Sequence, residues 1–587
     1  MPDSAKQNEL YFHIEAHLTY LYPEANHRAL ADKIMEIMGF NDKFYDPTQF
    51  KNHWDQSDVA VITYGNTIKN KGVPPLKALR NFLHKYLSEI ISIVHILPFY
   101  PFSSDDGFSV IDYSAVNSKL GTWEDIQKLS SEFTLMADLV INHCSAHSEW
   151  FKNFLTDSTP GKDYFVTANP NDDLSAVIRP RNNPLLNEVT TSGGVKHIWC
   201  TFSPDQVDLN FKNPDVLLEF VKILALYLDQ GIQIFRLDAI AFLWKVVGTD
   251  CLNLPQTHEV VRLLRTLVEH YKPNAILITE TNIPNQENLS YFGNANEAHM
   301  VYNFSLPPLL VNTLVTGDCH YLRTWMMSNP PARNGTTYFN FIASHDGIGL
   351  RPAEGLLSTE EIQTLANTLE SFGGKISWRA LNQGTHVSRP YEINISLYDA
   401  LKGTTDGVDE YNHARFLCAH AIMIALEGIP AFYLHSLFAT HNDEKLLAKT
   451  GHSRSINRHR WNQSALEESL TNGSEHQQAF EALGHLITVR KNNPAFHPNA
   501  TQFTLHMPTS GHINHIFAFW RQSMDREQNI FCVNNITRHP QYISLADLNL
   551  VIMDKWHDLI TGQPYDDHKA GVELAPYQTL WLSNKMY

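Results

Sequence analysis

A (β/α)8 barrel is the fold class this sequence predicts, and two observations predict it. Eight short apolar runs of strand length recur along the chain with longer helical stretches between them, the alternation that builds a parallel sheet. None of the runs is followed by a GxGxxG turn, which argues against an open dinucleotide-binding sheet and for a closed barrel. In order the runs are VAVITYG (59–65), ISIVHILPF (91–99), TLMADLVINH (134–143), GIQIFRLDAI (231–240), NAILITET (274–281), MVYNFSLP (300–307), TTYFNFIAS (336–344) and IPAFYLH (429–435). Most are continuously apolar, as expected of strands covered on both faces.

The remaining segments fit around that barrel. Residues 1–56 read as a helical extension, because ALADKIMEIMGF repeats apolar residues at helical spacing. The barrel is expected over 57–497. A stretch rich in Asp, Asn, Pro and Gly, about 145–215, is too long for a loop and predicts a small inserted domain after the third strand. A second excursion spans about 373–400. From 498 to 587 short runs such as HIFAFW, NIFCVNN and TLWLS alternate with turn residues, which predicts a C-terminal antiparallel β domain.

Composition narrows the function. A net charge of −17 excludes the clustered basic surface that nucleic acid requires, and it disfavours an anionic membrane. No apolar stretch is long enough to span a bilayer, and the first residues lack the basic start and apolar run of a secretory leader. The six cysteines show no CxxC or zinc-ligand spacing, so they read as reduced thiols of a cytoplasmic protein, and no metal or cofactor is expected. GxSxG, HExxH and P-loop patterns are absent.

The informative polar residues end the apolar runs. Asp138, Asn142 and His143 close the third, Arg236 and Asp238 punctuate the fourth, Glu280 ends the fifth, and His345 and Asp346 follow the seventh. A charge in an apolar strand costs several kcal/mol unless paired, and barrel strands converge at one mouth, where catalysis sits. Carboxylates gathered there suit retaining glycoside chemistry, with one ionised nucleophile and one protonated acid about 5–5.5 Å apart. Arg236 is expected to lower the pKa of Asp238, while a less solvated Glu280 stays protonated.

DLVINH (138–143), FRLDAIA (235–241), ITET (278–281) and ASHDGIG (343–349) resemble the four signature regions of the α-amylase clan of retaining glycosidases. The resemblance implies Asp238 as nucleophile, Glu280 as acid/base and Asp346 as transition-state stabiliser. It also implies a glucose subsite lined by Asp105, His143, Arg236, His345 and Arg458. Within the clan, HILPFYPFSSDDGF, IRPR, LPPLL and INRH are similar to the sucrose phosphorylase group, whose members pass glucose between an α-glucoside and phosphate to give glucose 1-phosphate. Arg181 and Tyr391 match that group's phosphate-side residues. Asn66, Thr281, Asn282 and Glu392 depart from the sucrose-cleaving pattern, whereas HWDQSDV, TETN and PYEIN look like the glucosylglycerate phosphorylase branch.

That branch implies cleavage of 2-O-α-glucosyl-D-glycerate by phosphate, with small-molecule partners and no metal. Asn142 stands where calcium-dependent clan members have a ligand. A cationic partner for glycerate is expected in Lys245 or Arg181, and the chain is compatible with a homodimer. The rival readings are phosphorolysis of sucrose, sucrose 6'-phosphate or glucosylglycerol, hydrolysis of α-glucans, and a non-catalytic binding barrel. The last would lack at least one of the three carboxylates.

Overall fold

A computed structural model describes residues 4–380, 388–548, 550–551 and 554–587. Its centre is a closed barrel of eight parallel strands: β1 (Ala60–Thr63), β2 (Ile93–Ile96), β3 (Thr134–Val140), β4 (Ile232–Asp238), β5 (Ile276–Thr279), β6 (Met300–Tyr302), β7 (Thr337–Phe341) and β8 (Ile429–Tyr433). Each falls inside one of the predicted apolar runs. The strands pair in chain order, and β1 closes the ring on β8 with Ala60 opposite Ala431.

Several runs overshoot their strands. The sixth stops at Tyr302, and its last residues enter the helix Leu306–Thr316, whose first turn holds Pro307. Proline has no N–H to give to a sheet but is preorganised for a helix start, so an apolar LPPLL ends as helix.

The covering helices are amphipathic. Pro75–Tyr86 turns Leu76, Leu79, Phe82 and Leu83 inward, and Pro255–Tyr271 does the same with Val260, Val261, Leu264, Leu267 and Val268. Burying each such side chain contributes about 1.5–3 kcal/mol. Upstream of the barrel, helix α1 (Ser4–Leu21) packs on Pro255–Tyr271 and helix α2 (His27–Ile37) on Pro214–Asp229. His17 Nδ1 sits 2.7 Å from Glu259, and the Tyr22 hydroxyl donates to the Phe211 carbonyl.

Between β3 and β4 the chain forms two small antiparallel pairs, His143–Ser145 with Gln206–Asp208 and Leu186–Thr191 with Gly194–Trp199, beside the helix Glu149–Leu155. In the predicted excursion 373–400, Lys375–Ala380 and Ser388–Asn394 pair antiparallel, and Ile348–Gly349 adds to the second strand; positions 381–387 lie outside the described residues. The C-terminal region is a six-stranded antiparallel sheet with its own core around Ile516, Val533, Trp556 and Leu580. Arg521, fully buried, joins it to the barrel by donating to the carbonyls of Ala425 and His497 at 2.7 Å each. Among the described residues no helix is long and apolar enough to cross a membrane.

Candidate active site

Strand geometry sets the centre of the site. Side chains alternate along β4, so Arg236 and Asp238 share a face, and the β3–β4 register places Asp138 directly beside Arg236. Arg236 Nη1 donates to Asp138 Oδ1 and, at 2.8 Å, to Asp238 Oδ1, while Nη2 lies 3.7 Å from Glu280 Oε1. His95 Nε2, from β2, is 2.8 Å from the second oxygen of Asp138. The rings of Phe108 and Tyr302 flank the guanidinium at 5.7 and 5.6 Å.

Immediately after Asp238 the chain turns through Ala239, which adopts a left-handed conformation at φ +53°. A non-glycine residue held there costs about 1–3 kcal/mol. The turn aims the Ala239 N–H at Glu280 Oε2, 2.8 Å away. Glu280 is thus tied both to Arg236 and to the residue next to Asp238.

Burial is the largest influence on both carboxyls. It pushes Asp238 well above the ordinary carboxylate range against the opposing Arg236, with Glu280, Asp138 and Asp346 adding repulsion. Glu280 is raised too, by burial against Arg236 and the Ala239 N–H. Arg236 does act to lower Asp238, as the sequence leads one to expect, but burial outweighs it and the net shift is upward. Asp138, also buried, is held below its usual range by Arg236 and His95. Two raised carboxyls on one guanidinium retain a proton between them. Each carboxyl keeps one donor that favours its anion, Arg236 for Asp238 and the Ala239 N–H for Glu280, so the proton belongs to the pair.

A second ionic network stands opposite. Asp346 pairs with Arg454 and lies 3.6 Å from His345 and 4.0 Å from Arg458. Burial would raise its carboxyl, but Arg454, His345 and Arg458 together hold it far below the usual range. Asp105 is likewise buried and kept ionised by Arg454, Arg458 and Arg181. His345 is pushed down to about 3, chiefly by burial, so it is neutral, and it stacks on Phe108 at 5.1 Å. His143, also lowered by burial, sits 2.9 Å from the Phe108 carbonyl.

One cavity of about 710 Å³, counted to its solvent mouth, is lined by Asp105, His143, Arg181, Arg236, Asp238, Glu280, His345, Asp346 and Tyr391. Arg458 is the predicted residue the structure does not bring to this wall. It lies behind it, paired with Asp106 and donating to the His345 carbonyl at 2.9 Å. Arg454, one helical turn earlier, reaches the cavity instead, as do Phe202, Gln206, Phe242, Asn282 and Arg351, none of which was assigned a role from sequence. The two arginines flanking SIN in SRSINRH were the available signal for Arg454.

One further expectation changes. Lys245 faces neither solvent nor the cavity: its Nζ is buried, 2.7 Å from Asp208 and 2.6 Å from Asn142 Oδ1. Its ammonium therefore occupies the polar pocket at Asn142, and it offers nothing to an acceptor acid. Glu392, one of the departures from the sucrose-cleaving pattern, grips Arg454 with both its oxygens at 3.0 and 2.7 Å. Its side chain packs so closely on Gly347 that a Cβ there would meet Glu392 Cγ at 2.6 Å. Asn66 sits in the turn after β1, away from the cavity wall. Among the described residues no group of three or more His, Cys, Asp or Glu side chains could hold a metal ion.

Carboxyls on barrel-strand ends, one of them retaining a proton, define a glycoside-processing barrel enzyme. Comparison with known proteins agrees: the α-amylase catalytic-domain family matches residues 81–347. A glucosylglycerate phosphorylase of Allomeiothermus silvanus is 42% identical over 98% of this chain and 99% of its own length. That of Escherichia coli K12 is 40% identical over 91% of this chain and 93% of its own. A crystal structure of sucrose 6F-phosphate phosphorylase from Thermoanaerobacter thermosaccharolyticum superposes with a TM-score of 0.71 at 24% identity, over 89% of this chain and 98% of that one, which supports the fold. The chain belongs to the sucrose phosphorylase-like subfamily of the α-amylase clan, in its glucosylglycerate phosphorylase branch.

Lys245→Met tests the correction above. Leaving Asp208 buried and unpaired is expected to cost about 3–5 kcal/mol, read as a lower unfolding midpoint, with the ranking of acceptor substrates unchanged. An altered acceptor ranking at unchanged stability would return Lys245 to the acceptor site.

Proposed function

We propose that this protein is a retaining phosphorylase that converts 2-O-α-glucosyl-D-glycerate and phosphate to α-D-glucose 1-phosphate and D-glycerate, reversibly. The observation that carries the reading is the pairing of Asp238 and Glu280 on Arg236, with Glu280 fixed by the N–H next to Asp238. Asp238 attacks the anomeric carbon while Glu280 gives its proton to the departing glycerate oxygen, and a glucosyl ester forms on Asp238. A phosphate oxygen then attacks the same carbon, the ester bond breaks, and Glu280 takes the proton of the incoming phosphate hydroxyl. Two inversions leave the α configuration intact. Asp346, kept ionised by Arg454, stabilises the oxocarbenium-like transition state; Asp105, His143 and His345 receive the glucosyl hydroxyls.

Phosphate rather than water as second acceptor is supported by Arg181, which lines the cavity half-buried, and by Tyr391 beside it. The six cysteines are buried thiols, which supports a reducing, cytoplasmic setting.

Incubation with glucose 1-phosphate and separate D-glycerate, fructose, fructose 6-phosphate or glycerol tests the substrate. Phosphate release is expected to be fastest with D-glycerate; an inert D-glycerate contradicts the assignment. The pH profile tests the proton inventory. Activity requires Asp238 ionised and Glu280 protonated, so it falls on the acid side as Asp238 takes up a proton and on the alkaline side as Glu280 loses one. Because both carboxyls are raised, both limbs are expected above the ordinary values of 3.8 and 4.5. With α-glucosyl fluoride as donor, Glu280→Gln is expected to erase the alkaline limb of glucosyl-enzyme formation and keep the acid one. An alkaline limb that survives excludes Glu280 as the acid.

A further inference from the structure

Four arginines line the cavity, and two of them are already neutralised: Arg236 by Asp138, Asp238 and Glu280, Arg454 by Asp346 and Glu392. Arg351 is different. Only 9% of it is exposed, yet among the described residues its side chain makes no hydrogen bond or ion pair. The carboxylates nearest in its field are committed elsewhere, Glu354 to Arg379 and Glu287 to the Asn253 amide at 2.8 Å. Arg379 adds like-charge repulsion rather than relief. A guanidinium that lines a ligand cavity with no protein partner is free to pair with an anion that enters.

Its mounting is rigid. Arg351 opens the short turn Arg351–Ala353, and the preceding Leu350 N–H donates to the Tyr391 carbonyl at 3.0 Å. Two residues before it, Gly349 abuts Asn282, whose amide a Cβ would meet at 2.9 Å. Asn282 Oδ1 is itself buried without a partner and lines the same cavity. An unpaired cation and an unpaired amide oxygen thus line the same cavity as Glu280.

Building on the phosphorylase reading, we propose that Arg351 binds the carboxylate of the acceptor acid, with Asn282 Oδ1 accepting from one of its hydroxyls, and so selects glycerate over uncharged alcohols. Charge balance favours a carboxylate over phosphate at this residue. One buried guanidinium neutralises one carboxylate in a bidentate pair, whereas phosphate, at about −1.5 to −2, leaves excess negative charge in a desolvated place. Arg181, half-buried on another lining segment, remains for phosphate.

D-Glycerate and glycerol make the test, since they differ by a carboxylate in place of a hydroxymethyl group. Wild type and Arg351→Met are given α-glucosyl fluoride as donor, and kcat/KM is measured for D-glycerate, glycerol and phosphate, with fluoride release reporting glucosyl-enzyme formation. The expected result is a loss of about a hundredfold with D-glycerate, equivalent to about 2.7 kcal/mol. Less than threefold change is expected with glycerol and in fluoride release, and a smaller loss with phosphate than with glycerate. Arg351→Lys, which keeps the charge but not the fork, is expected to restore part of the glycerate activity. Equal losses with glycerate and glycerol, or a phosphate loss as large as that for glycerate, would overturn the proposal. Failure of the wild type to glucosylate glycerate would overturn the underlying substrate reading and this inference with it; a wild type that prefers glycerate and a variant that keeps the preference would overturn this inference alone.

Discussion

The site is organised by the sharing of one guanidinium, that of Arg236, among three carboxylates. Asp138 lies beside it in sheet register, Asp238 two residues along the same strand, and Glu280 at the end of the neighbouring strand. One positive charge cannot fully compensate three buried negative ones, and the shortfall retains a proton on the Asp238–Glu280 pair. A stronger share for Asp238 would ionise both carboxyls and remove the proposed acid; a weaker one would neutralise the proposed nucleophile. His95 limits the draw of Asp138 on Arg236 by taking its second oxygen.

The opposite wall solves a different electrostatic problem. Asp346 must stay ionised, and Arg454 provides for that while Glu392 anchors the arginine from behind. The histidines between the two walls are kept neutral by burial, so they donate and accept hydrogen bonds without adding charge. Arg236 and Arg454 are balanced by carboxylates, whereas Arg181 and Arg351 bring further positive charge to the same cavity, which suits the proposed reaction with its anionic second substrates.

Much of this was legible in the sequence because a charged residue ending an apolar strand has few places to go. Asp238, Glu280 and Asp346 stood out for that reason, and barrel closure brought them to one mouth. Residues whose direction depends on distant partners were not legible. Lys245 follows the nucleophile closely in sequence, yet Asp208 from the insertion after β3 turns it away from the cavity. Arg454 and Arg458 look equivalent in SRSINRH, and only the positions of Asp346 and Asp106 decide which faces the ligand. His95 sits inside an apolar run that reads as plain strand, and its role is visible only once β2 and β3 are paired. Arg351 carries no local signal, because an unpaired cation is defined by which neighbours are already taken.

The dependence of the whole arrangement on Asp238 as the atom that receives glucose can be measured directly. A slow donor such as 5-fluoro-α-glucosyl fluoride should accumulate as a covalent glycosyl-enzyme, and mass spectrometry of its peptides locates the adduct. The expected result is a single glycosylated site at Asp238 that is released when phosphate is added. An adduct on another carboxylate, or phosphate-dependent turnover by Asp238→Asn at the wild-type rate, would contradict it.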